Sequence, residues 1–396
     1  MERRQVIVVG AGPVGMAAAA CLAGLGVDCL LLEKRDGLSK ASKASTFHPP
    51  TLEILGELGV LDEMLARGRI VERIQYRNAD GAVLAQFDLD LLQGQTPCPH
   101  RLHLEQSVLT ALLLERLQQM PSADLRFGWA FEALAEGQGA VTVTCRTPDG
   151  SLRKVAAEYV LAADGAHSAV RAALGLGMEG HDYPGQVLRL VVTDDLAAVL
   201  PGLGQISYIF GPDGRSISLL QMPDCWRVII RLSPGFDREK IIRPEWYMPE
   251  VRRYIPQLAG PLTLREFDIY GARRMLAAGH GGARVFLIGD ALHLTNTRGG
   301  MNMNCGIHDA YAIGGAIADA LTEGRPALAQ EAARARRRVA EEELLPRTDR
   351  AVTGGADWLA QVQAMAVDPG RTREMLVRAA MLDMAPPRGR LREAAQ

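Results

Sequence analysis

A glycine-rich turn between an apolar strand and a helix constrains the fold of this chain more than any other sequence feature. The β-branched run at 6–9 ends in Gly10-Ala11-Gly12-Pro13-Val14-Gly15, a G-x-G-x-x-G pattern. Residues 17–25 have the pattern of a helix, and residues 28–32 form a second apolar strand. A strand, a crossover helix and a second strand at this spacing predict a parallel sheet.

The individual positions of this turn indicate recognition of a dinucleotide. Gly10 permits the tight turn, Gly12 lets the backbone approach a pyrophosphate, and Gly15 allows the helix to pack closely on the strand. The positive end of the helix favours the phosphate charge. Glu33 follows Gly15 by 18 residues, where a carboxylate accepts hydrogen bonds from a ribose hydroxyl. FAD and NAD share this fingerprint, so the N-terminal unit alone does not choose between them.

Composition and charge exclude several other classes of protein. The chain has 396 residues and a formal charge of -2, and 48% of its residues are hydrophobic, which is ordinary for a globular protein. A nearly neutral chain is not expected to bind nucleic acid. Six scattered cysteines include no C-x-x-C pair, so we expect neither a zinc ribbon nor a disulfide scaffold, and we predict a cytoplasmic protein.

Neither a membrane span nor a metal site is predicted. The apolar stretch at 6–32 is punctuated by glycines, and no other stretch approaches the roughly 20 apolar residues of a spanning helix. The eight histidines have no recognisable metal-ligand spacing. His100 and His103 stand three positions apart, but Pro97 and Pro99 favour a loop rather than one helix.

The rest of the chain alternates between α/β and all-β segments. In the first part we predict helices at 50–67 and 105–119, a hairpin at 74–90, and strands at 124–127, 140–145 and 155–162. The segment 185–233 has only strand and turn signals, at 188–192, 205–210, 216–222 and 226–232, which predicts an inserted antiparallel sheet. A long helix is then predicted to begin near Asn304, followed by a solvent-exposed helix at 328–345 and a helical stretch at 356–383 broken at Pro369-Gly370.

Two further motifs lie downstream of the glycine-rich turn. Residues 159–163 form a strand that turns through Asp164-Gly165 into a helix, in the sequence Asp-Gly-Ala-His-Ser-Ala-Val-Arg. Residues 285–293 read Val-Phe-Leu-Ile-Gly-Asp-Ala-Leu-His, and residues 299–306 read Gly-Gly-Met-Asn-Met-Asn-Cys-Gly. Together with the N-terminal fingerprint, these motifs resemble the class A flavoprotein monooxygenases, the family typified by para-hydroxybenzoate hydroxylase. The resemblance spans roughly residues 5–320.

The resemblance implies an α/β fold, in which a Rossmann-like FAD-binding domain carries an inserted antiparallel β-sheet substrate domain and C-terminal helices. The implied boundaries are a FAD-binding domain at 1–74, 100–176 and 276–345, a substrate-domain hairpin at 75–99, a substrate domain at 177–275 and a C-terminal helical segment at 346–396. We expect the C-terminal helices to pack on the flavin domain of their own chain, although they could instead support a homodimer. A monomer and a homodimer therefore both stay open.

The same resemblance implies FAD-binding roles for particular residues. The pyrophosphate loop comprises Gly10, Gly12, Val14 and Gly15, and Glu33, with Lys34 beside it, binds the adenosine ribose. Asp290 bonds the ribityl or pyrophosphate end of FAD, while Asp164 supports the FAD site and is linked to use of the nicotinamide cofactor. The remaining implied contacts are Lys43, Gln106, Gly300, Met303 and Asn304. Independently of the family, Asn304 is a suitable N-cap for a helix whose free N–H groups face the flavin.

Three positions depart from the family pattern. Lys43 stands where the family has an arginine, so it keeps the charge but loses the bidentate fork. Thr297 replaces a proline beside the flavin, and Asn302 replaces a glycine. We therefore expect more hydrogen bonding near the reacting edge of the ring. The candidate catalytic residues are Thr297, Arg298 and Tyr270, and the candidate substrate-binding residues are Tyr208, Phe210 and Met222, with core packing as the alternative for the apolar and aromatic ones.

The chemistry that the family implies is NAD(P)H reduction of FAD, reaction with O2 to form a flavin hydroperoxide, and hydroxylation of an aromatic or related electron-rich small molecule. No second glycine fingerprint follows a strand, so NAD(P)H is expected to bind transiently. A reductase or dehydrogenase of the same superfamily, without oxygen insertion, shares the motifs and stays open, as does a FAD-containing protein without turnover. Oxygen uptake separates the monooxygenase from the reductase or dehydrogenase, and substrate-stimulated NAD(P)H oxidation separates both of these from a FAD-containing protein without turnover.

Overall fold

The computed structural model describes residues 1–40, 44–211, 213, 215–232, 234–353 and 355–391, with the backbone alone for 351–353 and 355–358. Its strands are β1 (Glu2–Val9), β2 (Cys29–Glu33), β3 (Thr46–Phe47), β4 (Arg69–Val71), β5 (Arg73–Asn78), β6 (Val83–Asp88), β7 (Arg101–His103), β8 (Ala123–Phe127), β9 (Ala130–Glu136), β10 (Val141–Arg146), β11 (Leu152–Ala162), β12 (Met178–Asp182), β13 (Gln186–Val192), β14 (Ile206–Phe210), β15 (Ser216–Gln221), β16 (Trp226–Leu232), β17 (Leu264–Tyr270), β18 (Arg273–Ala277), β19 (Val285–Leu287) and β20 (His293–Leu294).

The α-helices are α1 (Pro13–Gly24), α2 (Pro49–Glu57), α3 (Leu61–Arg67), α4 (Gln106–Leu117), α5 (Ala169–Ala173), α6 (Leu196–Val199), α7 (Arg238–Ile241), α8 (Pro244–Tyr254), α9 (Asn302–Glu323), α10 (Ala327–Val339), α11 (Leu345–Thr353), α12 (Gly355–Ala366) and α13 (Pro369–Ala379). A π-helical turn at Ala340–Leu344 joins α10 to α11. Among the described residues, none of these helices is both long enough and apolar enough to cross a membrane.

The first large sheet forms the centre of the FAD-binding unit. Its strand order is β8-β2-β1-β11-β10-β9, and β19 pairs with the end of β11. The pairs that join β8, β2, β1, β11 and β19 are parallel, as the strand–helix–strand pattern predicts. Residues 6–9 are buried on both faces because α1 and α9 pack on one side and a second apolar core fills the other.

The second large sheet has the order β17-β13-β16-β15-β14-β5-β6. Its neighbours are antiparallel, as predicted, except for β14 and β5, which run parallel with Tyr208 opposite Tyr76. This pair attaches the β5–β6 hairpin to strands more than a hundred residues later in the chain. One face of the sheet is covered by α8, whose Tyr247, Met248 and Val251 enter the core there.

Several predicted elements differ from the observed ones. The predicted helix at 50–67 is divided into α2 and α3, because Gly59 adopts a φ of +78° that ends the first helix. The strand β9 was not predicted, and α9 begins at Asn302 rather than at Asn304. The predicted solvent-exposed helix at 328–345 corresponds to α10 and the π-helical turn, and it buries Ala329, Ala333 and Arg336.

Of the C-terminal helices, α10 packs on α9 of the flavin domain as predicted, whereas α12 and α13 pack on the second sheet. The break at Pro369 is confirmed as the start of α13, where the Asp368 carboxylate accepts hydrogen bonds from the next backbone N–H groups. Val362 and Leu376 join an apolar cluster with Phe87 on β6 of this sheet and with Val71 on β4, a strand of a separate three-stranded sheet. The two helices therefore cover the outer end of the substrate domain.

Candidate active site

The glycine-rich turn combines two glycines whose positions are closed to a side chain, Gly10 and Gly15, with one that is open, Gly12. Gly12 is the N-cap of α1 and Pro13 its first residue, so the helix N-terminus opens directly from β1. A Cβ atom on Gly15 would lie 1.8 Å from the carbonyl oxygen of Gly10, which excludes any side chain there. A Cβ atom on Gly12 would meet nothing within 4 Å, so the loop backbone is open on the side of the crevice. This open side fits the pyrophosphate of FAD.

Glu33 places a fixed carboxylate beside the loop at the end of β2. It is 6% exposed, and its oxygens accept hydrogen bonds from Ala11 N at 2.9 Å and Arg35 N at 3.0 Å. Each carboxylate oxygen has capacity for a further bond, which fits a ribose hydroxyl. Lys34 follows with an exposed side chain, and Lys43 lies outside the described residues.

The three sequence motifs meet around the phosphate loop. A Cβ atom on Gly10 would lie 2.6 Å from the carbonyl oxygen of Ala163, so the segment that leads into Asp164 touches the loop. One oxygen of Asp164 accepts a bond from Val170 N at 3.1 Å, while the other is buried without a partner among the described residues. The third motif touches the glycine-rich turn at Val14. Cβ atoms on Gly289 and Gly306 would lie 3.0 Å and 2.7 Å from the methyl carbons of Val14. The crevice is thus closed on two sides by predicted FAD-binding segments.

A chain of hydrogen bonds leads from Asp290 into the protein interior. Asn302 Nδ2 donates to Asp290 Oδ1 at 2.7 Å, and Asn302 Oδ1 lies 3.0 Å from His293 Nδ1. His293 Nε2 lies 2.8 Å from Asp309 Oδ2, and Arg336 Nε donates to Asp309 Oδ1 at 2.8 Å. Asn302, the residue that replaces a family glycine, therefore links the exposed Asp290 to a buried ionic network.

The members of this network are charged in spite of their burial. Burial opposes ionisation of Asp309, yet Arg336 and His293 hold the pKa of Asp309 at about 2. Burial likewise opposes the charged imidazole, but Cys305 and Asp309 raise the pKa of His293 well above its ordinary value. The imidazolium then donates from both nitrogens, which fixes the Asn302 amide with its NH2 group toward Asp290.

His293, Cys305 and Asp309 also resemble a metal-binding cluster, since their ligand atoms lie within 4.8 Å of one another. Arg336 already supplies a cation to this cluster, because its guanidinium bonds Asp309 and lies 3.3 Å from the sulfur of Cys305. The cluster is therefore explained as an ionic network rather than as a metal site.

We expect Asn302→Gly to weaken FAD binding by about tenfold, because Asp290 loses the charge-assisted hydrogen bond that orients it. The measurement is a titration of the apoprotein with FAD followed by flavin fluorescence. Asn302→Gln, which keeps the amide, serves as the comparison. An FAD affinity unchanged by the glycine substitution would show that Asn302 does not orient Asp290.

The loop at 297–301 is held in place by two buried residues. His48 is fully buried, and its Nε2 lies 2.8 Å from the carbonyl oxygen of Gly299. Burial, together with the charge of Arg101, lowers the pKa of His48 well below its ordinary value, so the ring is neutral and donates to this carbonyl. Asn304 donates to Thr46 O and Gly300 O at 2.8 and 2.7 Å.

The predicted N-cap role of Asn304 is wrong. Asn304 is fully buried inside α9, and its Oδ1 accepts from His48 N at 2.9 Å, so its side chain fixes the loop from behind. The N-terminus of α9, beside Gly300 and Met303, therefore presents backbone groups and no capping side chain. Gln106, at the start of α4, accepts a bond from Ala44 N at 3.2 Å.

A cavity of about 1040 Å³ lies between the second sheet, the loop at 297–301 and the C-terminal helices. Aromatic rings from adjacent strands form one wall, because the parallel pairing of β14 with β5 brings Tyr208 beside Tyr76. Their ring centroids are 5.1 Å apart, and the ring of Phe210 is stacked 6.3 Å from that of Tyr76. Arg298, Gly299 and Met301 form the end nearest the proposed flavin position.

Guanidinium groups converge on the same cavity, among them those of Arg101, Arg231 and Arg298. Arg101 is 3% exposed, and burial lowers its pKa. Burial and the nearby charge of Arg298 lower the pKa of Arg231 to about 10. Arg231 donates to Ser216 O and Ser218 Oγ, and no carboxylate of the described residues lies within ion-pair distance of it. The cavity therefore has a strongly positive potential.

The structure brings some of the predicted site residues together and separates others. Tyr208, Phe210 and Arg298 line the cavity, and Thr297 is exposed next to it. Tyr270 lies on β17, near enough for its hydroxyl to act on the pKa of Arg231, but it is not part of the cavity wall. Met222 is not at the cavity, because it is 2% exposed and packs with Val191 and Cys225.

Sequence reasoning did not select three residues that shape this site, namely Tyr76, Arg101 and His48. It did indicate Arg231, since the even spacing of Arg227 and Arg231 predicts that they share a strand face able to bind a carboxylate, with a solvated face as the alternative. The structure gives the two residues different environments, because Arg227 is paired with Glu105 whereas Arg231 faces the cavity. For His48 and Arg101, no local pattern in the sequence marks their burial.

Comparisons with known proteins agree with this geometry. Residues 3–345 match the family described as FAD binding domain. The chain is 28% identical to para-nitrophenol 4-monooxygenase of Pseudomonas sp. (strain WBC-3) over 323 residues, which cover 81% of this chain and 79% of that protein. It is 27% identical to 6-hydroxy-3-succinoylpyridine 3-monooxygenase of Pseudomonas putida (strain DSM 28022 / S16), covering 94% and 97% of the two chains.

The crystal structure of p-nitrophenol 4-monooxygenase from Pseudomonas putida DLL-E4 superimposes with a TM-score of 0.87 at 27% identity, covering 96% of this chain and 99% of the other. Fold and crevice thus define a FAD-dependent monooxygenase that acts on aromatic compounds. The chain belongs to the FAD binding domain family, among the class A flavoprotein aromatic hydroxylases. The predicted family, fold class and cofactor are confirmed, and oxygen insertion is favoured over the reductase alternative.

Proposed function

We propose that this enzyme hydroxylates a phenol or hydroxylated heteroaromatic compound that binds as its anion in the arginine-lined cavity. NAD(P)H is the transient reductant and O2 the second substrate, and we place the enzyme in the cytoplasm as a monomer or homodimer. The observation that carries the proposal is the convergence of Arg101, Arg231 and Arg298 on a cavity with an aromatic wall. The named relatives support it, since their names specify a nitrophenol and a hydroxypyridine.

The positive groups of the cavity favour the reactive form of such a substrate. An adjacent cation stabilises a phenolate and lowers the pKa of the bound phenol. The phenolate ring is richer in electrons than the phenol and accepts an electrophilic oxygen more readily. The sequence indicates no dedicated base that would deprotonate the phenol. Arg231 and Arg298 instead favour the phenolate through their positive charges.

The aromatic wall and the surrounding elements position the ring and exclude water. Tyr76 and Tyr208 form a tilted pair with interplanar angle 32°, which provides a face for the substrate ring. FAD, when bound, supplies the reducing equivalents taken from NAD(P)H and the activation of O2. The loop at 297–301, held by His48, sets the distance between the substrate and the flavin position.

We also propose the FAD-binding roles of the crevice residues. Gly10, Gly12, Val14 and Gly15 hold the pyrophosphate, and Glu33 holds the adenosine ribose, with Lys34 beside it. Lys43, which lies outside the described residues, is proposed as a FAD contact from the sequence alone. Asp290, Gln106, Asp164, Gly300, Met303 and Asn304 complete the proposed contacts, the last of these through its backbone. Thr297 and Arg298 are the proposed residues at the reacting edge.

The direct test is oxygen consumption by the purified flavoprotein with NADH or NADPH and a panel of phenols and hydroxypyridines. We expect a yellow protein whose oxygen uptake rises several-fold with at least one ionisable hydroxyaromatic compound, and a hydroxylated product identified by mass spectrometry. Nicotinamide oxidation without oxygen consumption under any condition would contradict the proposal. Sedimentation of the same preparation reports whether it is a monomer or a homodimer.

Arg231→Gln is expected to lower kcat/KM by about tenfold at neutral pH and to shift the acidic limb of its pH profile upward by about one unit. The shift follows because the phenol loses a nearby cation and ionises at higher pH. Arg265→Gln, an exposed arginine on β17 that pairs with Asp224, is the control. A fall in kcat/KM without movement of the limb would assign Arg231 a purely structural role.

A further inference from the structure

The C-terminal end of α13 is capped by buried guanidinium groups from two other elements. Arg347 of α11 donates from Nη1 to the carbonyl oxygen of Arg378 at 2.6 Å, and Arg101 of β7 donates from Nη2 to that of Ala379 at 2.8 Å. The last carbonyl groups of a helix have no partner inside it and carry the negative end of its dipole. The two arginines therefore fix this helix end both by hydrogen bonds and by charge.

Arg347 also holds the segment that follows α13. Its guanidinium forms a fork on the carboxylate of Asp383, in which Nη1 and Nη2 lie 2.9 and 2.6 Å from the two oxygens, and Nη2 also donates to Glu343 at 3.0 Å. Arg347 is only 9% exposed and lines the cavity. A two-pronged contact of this kind fixes orientation as well as distance, so Arg347 sets the position of residues 378–383 relative to α11.

The chain turns sharply between these two anchor points, at Met381. This residue has a φ of +64°, and it is the one residue other than glycine with a positive φ in the described part of the chain. A side chain with a Cβ atom adopts this conformation at a cost, so it persists only where surrounding contacts hold it. Met381 is fully buried and packs with Met301, Cys305 and Met384. Through Met301, the turn is joined to the loop at 297–301.

This joint lies at the end of the cavity nearest the proposed flavin position. The helix α11 packs on the turn inside the loop at 297–301. Arg101 is close enough to His48 for its charge to lower the pKa of that imidazole, and His48 holds the carbonyl oxygen of Gly299. Both arginines that cap α13 are therefore placed beside this loop.

We propose that Arg347 is a positioning residue for the hydroxylation, because it holds the wall formed by α13 against the loop at 297–301 and so keeps water from the reacting end of the cavity. This inference rests on the proposed function, since it assumes that O2 is activated beside that loop. Where water reaches this end, NAD(P)H, H+ and O2 are converted to NAD(P)+ and H2O2, and the substrate is not hydroxylated. A loosened wall raises this uncoupled fraction and leaves nicotinamide oxidation intact.

The first test measures how the holoenzyme divides the oxygen that it consumes. With the phenol or hydroxypyridine that gives the fastest oxygen uptake, Arg347→Gln is expected to raise the fraction recovered as H2O2 by at least about threefold, while the rate of NAD(P)H oxidation changes by less than about twofold. Arg347→Lys keeps the charge but loses the fork, so we expect an intermediate fraction. Arg373→Gln, an exposed arginine of α13 that does not line the cavity, is the matched control.

A second variant breaks the same contact with a smaller change. Asp383→Asn removes the carboxylate of the fork, while Arg347 can still donate to the carbonyl oxygen of Arg378. We expect a smaller rise in the H2O2 fraction in the same direction. An H2O2 fraction that stays at the wild-type value in Arg347→Gln and in Asp383→Asn would overturn the inference.

Hydrogen exchange of the holoenzyme provides a readout without turnover. In Arg347→Gln we expect the backbone amides of residues 374–384 to exchange at least about tenfold faster, with those of β1 and α9 unchanged. Faster exchange in all of these elements would indicate a general loss of stability and would contradict a local positioning role.

The outcomes distinguish this inference from the proposed function. If the wild type hydroxylates a phenol but Arg347→Gln releases no additional H2O2, the hydroxylase assignment stands and the role of Arg347 falls. If no hydroxyaromatic compound stimulates oxygen uptake by the wild type, both fall together.

Discussion

Arg336→Met is expected to lower the free energy of unfolding of the apoprotein by about 3–5 kcal/mol, because it leaves the buried carboxylate of Asp309 without its guanidinium partner. Arg336 is 4% exposed and bonds Asp309, Met384 O and the sulfur of Cys305. The substitution removes all of these contacts at once. Urea unfolding followed by circular dichroism measures the change.

Arg338→Met is the matched control, since Arg338 is an exposed arginine two positions later in α10, and we expect a change of less than about 0.5 kcal/mol. The double variant Asp309→Asn with Arg336→Met is expected to be more stable than the sum of the single changes predicts, because the two residues share one network. Equal stability of Arg336→Met and the wild type would show that this ion pair contributes nothing.

The same network makes the fold sensitive to acid. The ordinary pKa of an aspartate is 3.8, and that of Asp309 is held at about 2 in the folded protein. A lowered pKa contributes stability above the unfolded value, and this contribution is lost as pH falls from about 4 through about 2. In Arg336→Met the pKa of Asp309 rises, so we expect acid unfolding of the variant to begin at higher pH than in the wild type.

Gly12→Ala is expected to weaken FAD binding by at least about a hundredfold while the protein remains folded. A Cβ atom at this position meets no protein atom within 4 Å, so the fold has room for it. In the proposed binding mode the pyrophosphate approaches the backbone through this space, so we expect the added methyl group to displace the ligand. The purified variant should be colourless and should not regain FAD on titration.

Gly260→Ala serves as the control, since a Cβ atom there also meets nothing within 4 Å and the residue lies in the substrate domain. We expect it to bind FAD like the wild type. Circular dichroism and thermal unfolding of Gly12→Ala establish that the variant is folded. A folded Gly12→Ala protein that purified with a full complement of FAD would contradict the assignment of the phosphate loop.

The crevice could be predicted from the sequence because short segments encode it. The phosphate loop, Glu33 and the Asp290 motif each occupy a strand end and the turn that follows it, so their spacing along the chain fixes their place on one sheet edge. The second sheet was predicted as strands, but its order was not, because the parallel pairing of β14 with β5 joins segments far apart in sequence.

The site residues that were not predicted from the sequence likewise reach the site through contacts between segments that are far apart in the chain. Tyr76 reaches the cavity only because β5 pairs with β14, and Arg101 only because α13 returns to meet β7. Met222 was placed at the cavity because its strand is adjacent to that of Tyr208, yet at the strand end it enters a separate apolar cluster. The sequence of α10 is charged and rich in alanine, so Arg336 was not predicted to be buried. Ala329, Ala333 and Ala340 nevertheless lie on the buried face of the helix together with Arg336.

During synthesis on the ribosome, the two halves of this active site become complete at different times. The segments that form the FAD crevice end with α9, whereas the far wall of the cavity is contributed by residues 361–379. Because folding proceeds from the N-terminal part of a nascent chain, the crevice can accept its cofactor before the substrate cavity is closed. The helices α12 and α13, which follow the crevice segments along the chain, therefore complete the cavity that shields the aromatic substrate from water.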